Sequence, residues 1–111
     1  MQSTRLEKLL EFLNSDANDP FVLYALATEY NSLQDYTQAF RYYELLVDQH
    51  PDYVGTYYHL GKLLEKTDNT PRALEVYQKG MAAARAKRDM HSLSELQGAY
   101  NTAAGLDYED D

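Results

Sequence analysis

Histidine, lysine, tyrosine and carboxylate side chains are the groups in this sequence that could perform chemistry. The three histidines, His50, His59 and His91, are nine and thirty-two residues apart, which is not the spacing of a metal-binding motif. The chain has no cysteine, which excludes disulfides, thiolate metal sites and a cysteine nucleophile and leaves the redox compartment undetermined. No glycine-rich phosphate loop is present, and no nucleophile has a base at a recognisable spacing. We therefore expect no catalytic residue, no cofactor and no metal.

The net charge limits the kind of partner. The formal charge is −8, with nine acids and three bases in residues 1–61, three and seven in residues 62–88, and six and none in residues 89–111. Nucleic-acid binding needs Lys and Arg clustered on one face, so we expect no nucleic-acid partner. The basic run of Arg85, Lys87 and Arg88 lies near a predicted helix end. The helix macrodipole favours cations there, so capping is the preferred interpretation of this run.

The sequence contains no recognisable membrane or secretory segment. No run approaches the ~20 apolar residues that a membrane span needs. The first fifteen residues carry too many charges for the apolar region of a signal peptide. We therefore expect a cytoplasmic protein with no membrane partner.

Helical periodicity extends through nearly the whole chain. Apolar residues recur three and four positions apart, as at Leu6, Leu9, Leu10 and Leu13, and no stretch alternates with period two. The predicted helices cover residues 4–14, 20–33, 36–49, 53–67, 71–87 and 90–106. The predicted N-terminal caps and capping boxes are Thr4 with Glu7, Asp19 before Pro20, Asp35 with Gln38, Asp52 after Pro51, Thr70 before Pro71, and Asp89. Short connections predict that consecutive helices pack as antiparallel hairpins.

Two segments of the chain align at an offset of thirty-four residues. Their pattern resembles the tetratricopeptide repeat family, in which a large residue, Leu, Gly and Tyr on a first helix precede Ala, an aromatic residue and Pro. The pattern falls on Leu23, Leu26, Ala27, Tyr30, Ala39, Tyr43 and Pro51, and again on Tyr57, Leu60, Gly61, Leu64, Ala73, Tyr77 and Gly80. The resemblance implies an all-α fold in which about six helices form antiparallel hairpins stacked as a short right-handed α-solenoid. Ala27 and Gly61 would then be small because paired helices cross closely there.

The resemblance also implies a domain organisation. We expect one domain over residues 1–106, followed by an acidic tail at residues 107–111. The parts of the domain are a flanking helix at 4–19, a first repeat at 20–53, a second repeat at 54–87 and a capping helix at 89–106.

Departures from the repeat pattern occur mostly towards the ends. The first helix looks like the second helix of an absent repeat, with Leu9 and Phe12 facing inward. Arg85 replaces the closing proline of the second repeat, so the fifth helix is expected to run on. The pattern recurs in the last helix on Leu93, Leu96 and Tyr100. The last helix therefore looks like the first helix of a third repeat, with polar residues such as Gln97 on its outer face.

In this family the first helices of successive repeats line a concave groove that commonly binds peptide segments of partner proteins. The equivalent positions are Phe21, Tyr24, Thr28 and Asn31, then Gly55, Tyr58, Lys62 and Glu65, and, less directly, His91, Ser94, Gly98 and Asn101. Tyr24 and Tyr58 are equivalent to each other and would offer rigid aromatic area to a partner. The competing interpretation is that these tyrosines bridge core and solvent. Lys62 would meet an acidic side chain or a C-terminal carboxylate, or would simply lie on an exposed face near Glu65.

The resemblance implies a non-catalytic interaction module or scaffold that binds a peptide or helix of a partner protein. Chaperone-binding members hold a C-terminal carboxylate with a fixed set of Lys and Asn residues. Here Tyr24 and Thr28 replace two residues of that set, so we do not expect this chain to capture the C-terminal tail of a chaperone. The alternative is structural self-association as a weak homodimer, with the last helix docking on a second copy. The docking residues would be Leu93, Leu96, Tyr100 and Leu106. An enzyme would need a polar pocket with a perturbed acid or histidine.

Overall fold

The computed structural model describes residues 4–106, and these residues form α-helices joined by short turns. The helices are α1 (Thr4–Ser15), α2 (Pro20–Ser32), α3 (Tyr36–Gln49), α4 (Gly55–Lys66), α5 (Thr70–Ala86) and α6 (Met90–Ala104). The described part of the chain contains no β-strand. The predicted all-α fold with six helices is confirmed. The acidic tail at 107–111 lies outside the described residues.

The chain divides into two compact units, Met1–Tyr53 and Val54–Asp111. In the first unit, α2 packs against both α1 and α3. In the second, α5 packs against both α4 and α6, and α6 also contacts α4. Each unit therefore contains three described helices, of which the middle one, α2 or α5, contacts the other two. The organisation as one domain of two repeats with flanking helices stays a prediction.

The turns α2–α3, α4–α5 and α5–α6 share one backbone conformation. Gln34, Asp68 and Arg88 have φ values of 62°, 66° and 57°, in the left-handed region that ends many helices. The next amide bonds back to a carbonyl five residues earlier, as in Asp35 N to Tyr30 O at 2.9 Å. This is the hydrogen bond of a Schellman turn. Each turn thus ends one helix and places the next residue to cap the following helix.

The predicted caps at Asp19, Asp35 and Asp89 are confirmed by their hydrogen bonds. Their carboxylates accept from Phe21 N at 2.9 Å, Gln38 N at 3.3 Å and Ser92 N at 3.1 Å. These bonds satisfy amides of the first helical turn that have no partner within the helix.

Two other predicted caps are wrong. The cap of α5 is Asn69, whose side chain accepts from Arg72 N at 3.4 Å, whereas Thr70 is already helical. The sequence Asn-Thr-Pro contains two residues that can cap, and the left-handed turn at Asp68 places the first of them in the capping position. Asp52 is not a cap, because α4 begins at Gly55 after Val54 and has no side-chain cap bond.

Two helix ends depart from the predicted ranges by more than one residue: α4 begins at Gly55 and not at residue 53, and α6 ends at Ala104 and not at residue 106. The last helix ends at Ala104 because Gly105 has a φ of 74°, and Leu106 N then bonds to Asn101 O at 2.7 Å. The fifth helix runs on to Ala86 over seventeen residues, as the missing proline predicts. Its last turn carries Arg85, and Lys87 is the C-cap, which is consistent with cations stabilising a helix C-terminus.

Aromatic and small residues fill the interior of the first unit. Tyr43 is fully buried, and burial raises the pKa of its phenol to about 12. Tyr30 and Tyr42 stack with ring centroids 5.8 Å apart and planes 4° apart, which joins α2 to α3. The buried positions of the repeat pattern in this unit are Leu23, Leu26, Ala27, Tyr30, Ala39 and Tyr43. Pro51 is the exception, because it is exposed in the turn after α3.

The second unit contains two close approaches of a tyrosine to a glycine. A Cβ built on Gly61 would lie 2.1 Å from Tyr77 Cε1. A Cβ on Gly80 would lie 2.5 Å from Tyr57 Cβ and 3.0 Å from Leu96 Cδ1. Glycine is therefore required at both positions for the helices to pack at this distance. The buried positions of the repeat pattern here are Tyr57, Leu60, Gly61, Leu64, Ala73, Tyr77 and Gly80.

The expected inward orientation of Phe12 is wrong. Its side chain is 59 % exposed, whereas Leu6 and Leu9 are buried. α1 packs on α2 with Leu6 and Leu9 buried, and this packing leaves the Phe12 ring at the surface.

We expect Gly61→Ala to lower the free energy of unfolding by about 1–3 kcal/mol, because the buried Tyr77 ring would have to move. Gly98→Ala is the matched control. A Cβ on Gly98 would meet no atom of the described residues within 4 Å, so this change should raise the free energy of unfolding by about 0.5–1 kcal/mol. Urea unfolding followed by circular dichroism measures both, and equal effects would contradict the packing role of Gly61.

We expect Asn69→Ala to destabilise the protein by about 1 kcal/mol through loss of the α5 cap. Thr70→Ala should change the free energy of unfolding by less than about 0.5 kcal/mol, because Thr70 is not the capping residue. Thermal unfolding of the two variants measures the difference. A larger loss for Thr70→Ala would show that the cap had been misassigned.

Candidate functional site

A surface depression of about 380 Å³ lies between α4 and α6 in the second unit. Its walls combine an aromatic ring, a cation, a carboxylate and several small residues. The lining residues are Tyr58 and Lys62 from α4, and Ser94, Glu95, Gly98, Ala99, Asn101 and Thr102 from α6. Five of them were expected from the sequence at groove positions: Tyr58, Lys62, Ser94, Gly98 and Asn101.

Helical spacing explains why these side chains share one surface. Tyr58 and Lys62 are four residues apart and therefore adjacent on one face of α4. On α6, Ser94, Gly98 and Thr102 are likewise spaced by four residues. Leu96 and Ala99 are buried in the unit and fix the orientation of α6.

The cation of the depression is held loosely. Lys62 Nζ lies 5.6 Å from the centroid of the Tyr58 ring and 4.0 Å from Glu65 Oε2. The Lys62 side chain is 45 % exposed, so water screens both interactions. The ammonium can therefore turn towards an anionic partner without the loss of a strong internal bond.

Glu65 bonds to α5 next to the depression. The Tyr77 phenol donates a hydrogen bond to Glu65 Oε2. Burial raises the pKa of that phenol, and the hydrogen bond to Glu65 raises it further, so Tyr77 remains a neutral donor. Glu65 was expected to line a groove, but it is not among the residues that line this depression. In the structure it links α4 to α5, and its Oε2 lies 4.0 Å from Lys62 Nζ.

His59 lies beside Tyr58, and its protonation is influenced by Glu95 of the depression. The His59 ring meets the Tyr58 ring edge-on with centroids 5.6 Å apart. Burial lowers the pKa of His59, and the charge of Glu95 partly offsets this lowering. Glu95 also pairs with His91, whose Nε2 lies 3.6 Å from Glu95 Oε2. At neutral pH, His59 is therefore an uncharged neighbour of the aromatic wall.

The predicted groove positions on α2 lie in the first unit. Phe21 is 69 % exposed. Tyr24 is half-buried and packs on Tyr53, with ring centroids 5.4 Å apart and planes at 45°, and burial raises the pKa of its phenol. The Thr28 hydroxyl donates to Ala25 O at 3.0 Å, and Asn31 is half-buried. Tyr24 thus bridges core and surface, whereas the equivalent Tyr58 borders an open depression.

A second depression, of about 360 Å³, lies on α1 and was not predicted from the sequence. It is lined by Thr4, Arg5, Lys8, Leu9 and Phe12. Arg5 also pairs with Glu29 of α2, with Nε and Oε1 3.2 Å apart. The missed signal was the pairing of two bases with an aromatic residue at helical spacing in the first helix.

His50, the remaining histidine, makes a contact within the first unit. His50 Nε2 lies 2.8 Å from Asn18 O and 3.1 Å from Asn18 Oδ1, a contact that ties the turn after α1 to the end of α3. Residues 4–106 contain no group of three His, Asp or Glu side chains placed to hold a metal ion. No described helix is both long and apolar enough to cross a membrane.

The fold and the spacing of its glycines and aromatics define a helical-hairpin repeat protein. The sequence profile described as "Tetratricopeptide repeat" matches residues 31–96. The chain belongs to the tetratricopeptide repeat family. Members of this family are generally non-catalytic, and their fold commonly mediates protein–protein interaction.

Solved structures agree with this assignment. A tetratricopeptide repeat domain protein from Salinibacter ruber, in a solution structure, is 44% identical to this chain, with 86% of this chain and 99% of that chain covered and a TM-score of 0.77. The corresponding crystal structure is 47% identical over 80% of this chain and 100% of that chain, with a TM-score of 0.76. A protein from Bordetella parapertussis shares the fold at 24% identity, covering 96% and 92% of the two chains, with a TM-score of 0.79. A search of curated proteins gave no significant match.

We expect the midpoint of the His59 titration, followed by NMR, to lie below the ordinary value of 6.5. Because the pKa of His59 is lower in the folded state, protonation of His59 opposes folding. The free energy of unfolding is therefore highest above pH 6.5 and falls as the pH drops through and below that value. Glu95→Gln should lower the midpoint further by removing the opposing charge. A midpoint above 6.5 would contradict the burial of His59.

Proposed function

We propose that this protein is a non-catalytic interaction module that binds a segment of a partner protein in the depression between α4 and α6. The observation that carries the proposal is the pairing of an accessible cation and an aromatic face with polar side chains across an open space of about 380 Å³. Aromatic and cationic residues of this kind dominate the binding energy of many protein interfaces.

The dimensions of the depression fit a short peptide segment. Its α6 wall runs from Ser94 to Thr102, which at the helical rise corresponds to about 12 Å. An extended peptide covers that length in about four residues, and a helix covers it in about two turns. The segment would place an acidic side chain near Lys62. The attraction between this acid and Lys62 would strengthen association most at low salt, because salt screens exposed charges.

The α2 positions Phe21, Tyr24, Thr28 and Asn31 are proposed as a second contact region. Phe21 is the strongest of them because its ring is largely exposed. Tyr24 offers less area, since it already packs on Tyr53. We propose that Phe21 is the main contact of a separate binding region on α2 of the first unit.

Self-association through α6 is the weaker alternative. Of the four residues that would dock on a second copy, Leu96 is 1% exposed and packs beside Gly80, so it is unavailable to a partner. Leu93 and Tyr100 are half-buried, and Leu106 alone is largely exposed, at 60%. The apolar area left for a dimer is therefore small, and sedimentation at several concentrations would detect one.

We expect Tyr58→Ala with Lys62→Glu to abolish capture of the partner that the wild-type chain retains from a cell lysate. The double substitution removes the aromatic face and reverses the charge at the depression. Lys79→Glu is the matched control, because Lys79 is exposed on α5 and does not line the depression. Partners are compared by mass spectrometry, and circular dichroism checks that every variant remains helical.

Four results distinguish the proposals. A partner lost with the double variant and kept with Lys79→Glu supports binding in the depression. A partner kept by the double variant but lost with Phe21→Ala would move the binding surface to α2. Identical partners for all variants would contradict both surfaces, and recovery of the chain itself alone would favour self-association.

A further inference from the structure

Gly98 is a helix-interior glycine that internal packing does not explain. It lies in the middle of α6, where glycine is less favourable than alanine because of its backbone entropy. A Cβ built on Gly98 would meet no atom of the described residues within 4 Å. The space that a side chain would fill belongs to the depression between α4 and α6.

Two other glycines in the helix interiors of this unit, Gly61 and Gly80, show what such positions accommodate. The Tyr77 ring occupies the space over Gly61, and Tyr57 occupies the space over Gly80. In both pairs the aromatic side chain comes from a neighbouring helix and lies against the glycine backbone. Gly98 has the same kind of surface, but it faces the open depression.

The surroundings of Gly98 are suited to an aromatic ring. Tyr58 forms the opposite wall, and aromatic rings pair favourably in offset or edge-on geometries. Lys62 already lies over one ring and could also contact the face of a second. The side chains of Asn101 and Thr102 line the same depression and provide hydrogen-bond acceptors for a phenol.

We propose that the depression binds a partner segment by seating a phenylalanine or tyrosine side chain on the backbone of α6 at Gly98. An acidic residue of the same segment faces Lys62. This inference rests on the proposed function. It adds that the partner's anchor residue is aromatic and that Gly98 is the position of this chain that selects it. Gly98 is the specificity-determining residue, because any side chain there occupies the space of the ring.

The test uses a phage-displayed library of random dodecapeptides selected on the whole chain. Selected peptides are synthesised, and their dissociation constants are measured with the wild type, Gly98→Leu, Tyr58→Ala and Ala82→Leu. Ala82→Leu is the matched control, since Ala82 is an exposed position of α5 outside the depression. Circular dichroism is expected to show that Gly98→Leu stays folded, because the added side chain enters open space.

We expect the selected peptides to share a Phe or Tyr with a nearby Asp or Glu. Gly98→Leu should weaken binding by about tenfold or more, and so should replacement of the peptide aromatic by alanine. Ala82→Leu should leave the affinity unchanged. In the complex, the Gly98 α-protons should shift upfield in the NMR spectrum because of the ring current of the seated side chain.

The negative outcomes separate the two proposals. Binding that survives Gly98→Leu but is lost with Tyr58→Ala would overturn the glycine-seated ring and leave the proposed function intact. Peptides that bind Tyr58→Ala as well as the wild type, or a library that yields no binder, would overturn both. Self-association that Phe12→Ala or Phe21→Ala abolishes would replace the foreign segment by a second copy of this chain.

Discussion

The second unit depends on the contact of a tyrosine ring with the bare backbone of a facing helix. Tyr77 of α5 lies on Gly61 of α4, and Tyr57 of α4 lies on Gly80 of α5. Each helix therefore supplies one ring and one glycine to the contact. A side chain at either glycine would force the helices apart, because core packing leaves no space for even one methyl group. Gly80 also admits Leu96 of α6. The position of α6, and hence the width of the depression beside α4, follows from these contacts.

The same packing sets the electrostatics of the site. Tyr77 reaches Glu65 with its hydroxyl once its ring is seated on Gly61. Glu65 is then held on the side of α5 and only weakly pairs with Lys62. A buried structural contact thus leaves a surface cation accessible. Recognition of a partner needs rigid walls and exposed groups of complementary chemistry, and this arrangement supplies both.

Much of the fold could be predicted from the sequence, because repeat period, helical periodicity and capping are local properties. Asp19, Asp35 and Asp89 cap their helices as their positions predict. The choice between Asn69 and Thr70 could not be predicted, since both residues can accept the same bonds and the left-handed turn at Asp68 decides between them. Phe12 was expected inside because the pattern of a repeat assumes a neighbouring helix, and its exposure depends on which helices pack there.

The sequence by itself determined the family, the helices and the group of residues from which a binding surface could be drawn, because these follow from residue spacing along one helix. Tertiary structure decided which members of that group share a surface. Tyr24 and Tyr58 are equivalent in the repeat, yet Tyr24 packs on Tyr53 while Tyr58 borders an open depression. Gly61 and Gly98 are both glycines within helices, yet a ring covers the first and open space lies over the second. The physical reason is that burial depends on atoms supplied by other helices, and spacing within a single helix carries no information about them.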